Sequence, residues 1–192
     1  RALETYSQEK AAALFARFAA NGTWQAPTLV VHRTGAFLDD PNFTNDPRLK
    51  YVRRDIRDSW KNKDDFRLKN RTAESSELGK RLLQKRLEII LAMHRAGVKM
   101  LAATDALIMY VFPGFSLHDE LELFVQAGLT PMEALQTATR NPATYLGLID
   151  MVGTVEEGRL VLLPAYRHLR CRNYTGEADR ARQLPLPDLR RL

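Results

Sequence analysis

Four side chains stand where an α/β protein usually places its chemistry. Val98 to Ala103 is a short apolar run that follows Gly97 and contains no proline. Such a run reads as a strand covered on both faces, the kind found in parallel sheets. Thr104 and Asp105 then fall where strand gives way to loop, the end at which barrels and open α/β sheets collect their active sites. Asp105 is therefore a candidate metal ligand or general base. The competing reading is a loop aspartate that accepts hydrogen bonds from backbone amides, a common role for Asp in turns. His32 occupies the equivalent place after an earlier apolar run, Thr28–Val31. The other histidines are His94, His118 and His168, so no His-x-His or His-Glu-x-x-His pair supports a histidine metal site. His32 is a pocket-lining candidate only.

The loop after Asp105, LIMYVFPGF over 107–115, is apolar and aromatic, with Pro113-Gly114 as its turn. It suits a substrate wall, with Tyr110 as its polar tip. His118 sits in the first turn of the next helix, where the helix dipole disfavours a ring proton. It is either a hydrogen-bond partner reaching the pocket or an exposed first-turn residue. His94, in the last turn of a long helix, suits the dipole as a cation and is read as structural.

The elements that must position these groups alternate. Residues 7–20 form a helix with Ser7 as cap, Leu14, Phe15 and Phe18 as its apolar stripe, and Asn21-Gly22 as its end. TWQAPTLVV over 23–31 reads as a strand interrupted by Pro27, which puts the strand proper at Thr28–Val31. Residues 33–72 are a long polar connection, read as a lid over the active-site mouth against the alternative of a loose surface insert. Within it Pro47–Trp60 forms a short helix, with Asp46 as cap and Leu49, Val52, Ile56 and Trp60 on one side. Trp60 and Phe66 favour the lid, since both need something to pack on. Residues 73–96 make the longest helix, with Leu78, Leu82, Leu83, Leu87, Ile90, Leu91 and Met93 inward. Ser116 with Asp119 and Glu120 reads as a capping box for a helix whose face is Leu117, Leu121, Phe124 and Val125 and whose stop is Gly128. Thr130, Pro131 and Glu133 repeat the signal for a second helix with Met132, Leu135 and Ala138 or Thr139 inward, broken or kinked at Asn141-Pro142. Strands alternating with helices mean parallel βαβ pairing.

ATDA, FPGFSLHDELELFVQAGLTPMEALQTATRNPATYLG and GTVEEGRL, in that order, resemble the C-terminal part of amidohydrolase-superfamily enzymes, nearest the imidazolonepropionase-like and Xaa-Pro dipeptidase-like branch. The resemblance runs from about residue 8 to about 163. It implies an α/β fold, the C-terminal part of a metal-dependent (β/α)8 TIM-like barrel hydrolysing carbon–nitrogen bonds of a small amide, dipeptide or cyclic amide. It makes 1–150 a partial barrel with strands seven and eight, and 151–163 the start of a flanking β-sandwich. It also makes Asp105 the residue that binds the catalytic divalent metal, expected to be zinc, and takes a proton from the attacking water. The family's His-x-His pair, its Lys or Glu and two further His lie on earlier strands, and none of those segments is in this chain. The resemblance thus implies a chain inactive alone, needing the N-terminal barrel part or self-association.

The 192 residues suffice for one domain with a real core. The single Cys171 excludes an internal disulfide and a cysteine-based zinc site. No apolar run is long enough to span a bilayer and nothing resembles a signal peptide, so a membrane partner is not expected and the default location is cytoplasmic. The chain opens on Arg1, which marks a processed product or a piece of something longer. Of the net charge of +6, residues 159–192 carry +5, from eight Arg and three acids, leaving +1 for the first 158 residues. The divergent Arg-rich tail, 164–192, has no aromatic interleaving beyond Tyr166 and Tyr174 and is read as a solvated segment, with nucleic acid disfavoured as a partner. A frame change in the coding DNA would explain why pattern and composition shift together there. Two further readings remain, a non-catalytic amidohydrolase remnant and a basic-tail binding module.

Overall fold

The structure is a computed structural model that describes residues 3–61, 65–69, 71–106 and 108–160. Its centre is a pair of short parallel strands, β1 (Trp24–Gln25) and β2 (Lys99–Met100), with Trp24 opposite Lys99 and Gln25 opposite Met100. Helices surround the pair: α1 (Gln8–Ala20) before the strands, α2 (Leu29–Phe37) and the long α6 (Ala73–Arg95) between them, then α7 (Ser116–Ala127), α8 (Pro131–Ala138) and α9 (Arg140–Tyr145) after them. This is the strand–helix–strand order of a parallel crossover.

One expected strand is a helix instead. The apolar run predicts a strand at Thr28–Val31, but pairing stops at Gln25 and Leu29–Val31 opens α2. Leu29 and Val30 are fully buried there, so the apolar run marks burial without specifying extension. Local caps explain the other starts and stops. The Ser7 hydroxyl accepts the Lys10 amide, Thr72 and Ser75 form a reciprocal capping box at α6, and Thr130 and Glu133 form another at α8. Gly128 closes α7 at a φ of 111°, a conformation that costs a side-chain-bearing residue dearly. The break between α8 and α9 comes at Thr139, two residues ahead of Asn141-Pro142.

Two apolar clusters hold these elements. The larger joins Phe15, Leu29, Val30, Leu87, Ile90, Val98, Met100, Leu123 and Phe124. The buried faces differ from the expected ones on four helices. On α7 the inward stripe is Ser116, Glu120, Leu123, Phe124 and Ala127, while Val125 is 40% exposed. On α8 Ala134 and Thr137 are inward, while Met132 and Leu135 face out. On α6 Leu78 is exposed, and so is Leu14 on α1.

The second cluster belongs to the 33–72 connection, which is ordered as α3 (Pro41–Thr44), a 3-10 turn (Pro47–Tyr51), α4 (Arg54–Trp60) and α5 (Phe66–Lys69). The expected single helix over 47–60 is broken by extended backbone at Val52. Asp46 caps the first half, and Leu49, Val52, Ile56 and Trp60 all pack with Leu38, Met109 and Phe112. The insertion therefore rests on the chain just after Asp105. The side chain of Phe66, residue 107 and residues 161–192, including most of the expected sandwich strand and the Arg-rich tail, lie outside the described residues.

Candidate functional site

Because β1 and β2 are parallel, both chains leave the sheet at the same end. Each exit carries a non-glycine residue with positive φ: Thr28 at 46° after β1, and Asp105 at 49° after β2, with Tyr110 at 59° further along the same loop. Asp tolerates this left-handed region, but Thr and Tyr do not do so readily, and such strain gathers at functional sites.

Asp105 is exposed and makes no hydrogen bond or ion pair among the described residues. The backbone leading to it is held on both sides. Leu101 donates its amide to the Gln25 carbonyl at 2.8 Å, Ala102 donates to the Thr137 carbonyl at 2.9 Å, and the Asn141 side-chain amide donates to the Met100 carbonyl at 2.8 Å. The stem is fixed, and among the described residues the carboxylate at its tip has no partner.

The other three site candidates go to separate places. His32 is half-buried on α2 and lines a recess of about 170 Å³ with Arg86, Pro27, Leu29, Ile89, Ile90 and Met93. Burial, and secondarily the charge of Arg86, push the imidazole below its usual range. Tyr110 is half-buried in the second cluster, with its ring 5.7 Å from Phe43 and 5.2 Å from Trp60, and burial pushes its hydroxyl upward. His118 lies exposed in the first turn of α7. Neither His32 nor Tyr110 shares its surroundings with Asp105 through a hydrogen bond.

A polar network that the sequence does not announce links α2, α7 and the insertion. Glu120 is fully buried, and its two carboxylate oxygens accept the amides of Leu29 at 2.9 Å and Val30 at 2.8 Å. These are first-turn donors of α2, whose cap residue Thr28 supplies no side-chain bond. Burial outweighs those two bonds and the nearby Arg33 charge, and raises the carboxyl to about 7. Its neighbour Asp119 receives Arg33 at 2.8 Å and Arg48 at 3.0 and 2.8 Å, and Arg48 also grips Asp46. The Arg48 guanidinium lies 4.7 Å over the Phe112 ring. Ser116 does not cap α7: its hydroxyl accepts the Phe112 amide at 2.8 Å and reaches Asp119 at 3.4 Å. In sequence these three residues carry a capping-box signature, and nothing local marks them as a tertiary network.

The family comparison adds what geometry alone does not. The model of the amidohydrolase family matches residues 17–162. The chain belongs to that family. Neither a curated protein nor a solved structure matches it. In this amidohydrolase-family chain the matched region spans both strands, the insertion, Asp105 and the helices after it. Members of the family usually bind divalent metals. The described residues do not fit that requirement, since they hold no group of three His, Cys, Asp or Glu side chains able to bind an ion. A catalytic zinc site takes three protein ligands, and Asp105 is one carboxylate. No described helix is long and apolar enough to cross a membrane.

Proposed function

We propose that this chain carries the Asp105 portion of the active site of a metal-dependent hydrolase acting on carbon–nitrogen bonds, and that it does not hydrolyse substrate by itself. The observation that supports this reading is the placement of Asp105 within a family match. It ends a held stem at the exit of a parallel strand pair, in a left-handed conformation, with a carboxylate that no partner among the described residues uses. A purely structural loop aspartate would spend that carboxylate on nearby amides. The remaining ligands of a divalent metal, zinc by our reading, must come from other polypeptide, either an N-terminal barrel part or another copy. Small amides, dipeptides ending in proline and imidazolone-type rings are the proposed substrate classes. The 33–72 insertion, seated on residues 108–112, serves as the lid.

A second reading, a non-catalytic remnant, draws support from the outer edge of β2. Consecutive residues of an extended strand aim their backbone groups to opposite sides. The Met100 carbonyl and Ala102 amide therefore face away from β1, and Asn141 and Thr137 already occupy them. That edge is the one a further barrel strand would pair with.

Elemental analysis of the purified chain beside Asp105→Ala separates part of this. Neither protein should hold metal. About one equivalent of zinc in the parent, lost in the variant, would show that the chain assembles a site unaided. Co-expression with the first six strand–helix units of a family enzyme tests the rest. Metal uptake and amide hydrolysis abolished by Asp105→Ala are expected. Hydrolysis untouched by that change would remove Asp105 from the site, and no complex at all would favour the remnant.

A further inference from the structure

The recess between α2 and α6 pairs an unspent cation with an apolar wall. Arg86 is half-buried, and it makes no hydrogen bond or ion pair among the described residues. Burial pushes its guanidinium below the usual arginine range, and no carboxylate among the described residues pairs with it to offset the lost hydration. A guanidinium presents five N–H donors in a planar fork matched to a carboxylate, and withdrawing them from water without an acceptor is unfavourable. The wall around it is Leu29, Ile89, Ile90 and Met93, with His32 as the other polar group. His32 is held toward its neutral form by burial and by Arg86. It therefore adds a hydrogen-bonding group without a second charge, which favours a monoanion over phosphate. The recess, of about 170 Å³ and open to solvent, has room for a ligand of a few non-hydrogen atoms.

We propose that this recess binds a small aliphatic carboxylate, with Arg86 gripping the carboxylate and Leu29, Ile89, Ile90 and Met93 taking the hydrocarbon. Asp105 does not line the recess, so the site stands independently of the hydrolase reading.

Butyrate has the right size and is the probe. A titration of the full 192-residue chain, followed by amide NMR shifts, should show saturable changes at Leu29, Ile89, Ile90 and Met93. A ligand this small binds weakly, in the millimolar range. Butanol, which lacks the charge, and inorganic phosphate, which lacks the chain, should bind at least tenfold more weakly. Arg86→Gln should weaken butyrate at least tenfold with the rest of the spectrum unchanged. Should that variant not fold, Ile89→Phe fills the recess from its apolar wall and should likewise abolish the shifts. Shifts that fail to saturate, equal binding of butanol, or butyrate binding that survives a folded Arg86→Gln would overturn the proposal.

Discussion

Glu120 caps Leu29 from 91 residues away in sequence. A buried carboxylate on α7 thereby supplies the first-turn acceptors that α2 lacks locally, taking the Leu29 and Val30 amides together. The helix that replaces the expected seventh strand thus depends on a tertiary bond at its first turn.

Removing that acceptor should loosen α2 first. Glu120→Ala leaves two buried N–H groups without partners, at about 1–3 kcal/mol each. Glu120→Gln keeps one acceptor and should cost less. Urea unfolding of both variants checks the order. Equal stability of parent and Glu120→Ala would mean that water or a repacked side chain satisfies the donors.

The same residue gives stability a pH dependence. Folding raises the Glu120 carboxyl from 4.5 to about 7. The folded chain then holds a proton that the unfolded chain has released, so this contribution is complete below about 4.5 and is lost as pH rises through about 7. Glu133 acts oppositely at lower pH. The Thr130 amide and hydroxyl, and then His94, hold its carboxyl down to about 2, so its contribution is present above 4.5 and lost as pH falls toward 2. Between pH 5 and pH 8 the melting temperature of the parent should therefore fall relative to Glu120→Gln. Parallel profiles would show that Glu120 ionises alike in both states.

Arg48 ties the insertion to α7 through Asp119 while holding Asp46 on its own side. Arg48→Met keeps the apolar stem over Phe112 and removes only the ion pairs. Amide hydrogen exchange should rise across 41–60 and stay unchanged in α6 and α7. A uniform rise would place the insertion in the same cooperative unit as the main core.

Asp105 should be nearly neutral for stability. With no partner among the described residues and a left-handed backbone, Asp105→Asn should shift unfolding free energy by no more than about 0.5 kcal/mol, the usual range for a surface change. Thermal melts decide this. A loss of 1–2 kcal/mol would return Asp105 to the role of a structural turn residue.

Sequence by itself determined the elements whose signals are local. The Ser7 and Thr130 caps, the glycine stops at 97 and 128 and the long amphipathic helix read over 73–96 depend on residues within a few positions of one another, and each is present, the helix ending at Arg95. The strand read over Val98–Ala103 pairs only at Lys99–Met100, so Asp105 lies on the loop beyond it and not at its last residue. The four apolar positions over 49–60 also share one cluster, although the helix carrying them is broken. What a face packs against depends on residues far away, and only the tertiary structure decided it. With Glu120 buried, Leu123 faces in and Val125 faces out, because the Leu29 and Val30 amides need an acceptor that their own stretch of chain does not supply. The same two amides make Leu29–Val31 helical, although their apolar, β-branched character suits a strand equally well. His32, Tyr110 and His118 are close to Asp105 in chain order or strand position, yet α2, the aromatic cluster and α7 carry them to three different surroundings. Spacing along a chain sets which side of an element a residue occupies, and packing between elements sets what it meets there.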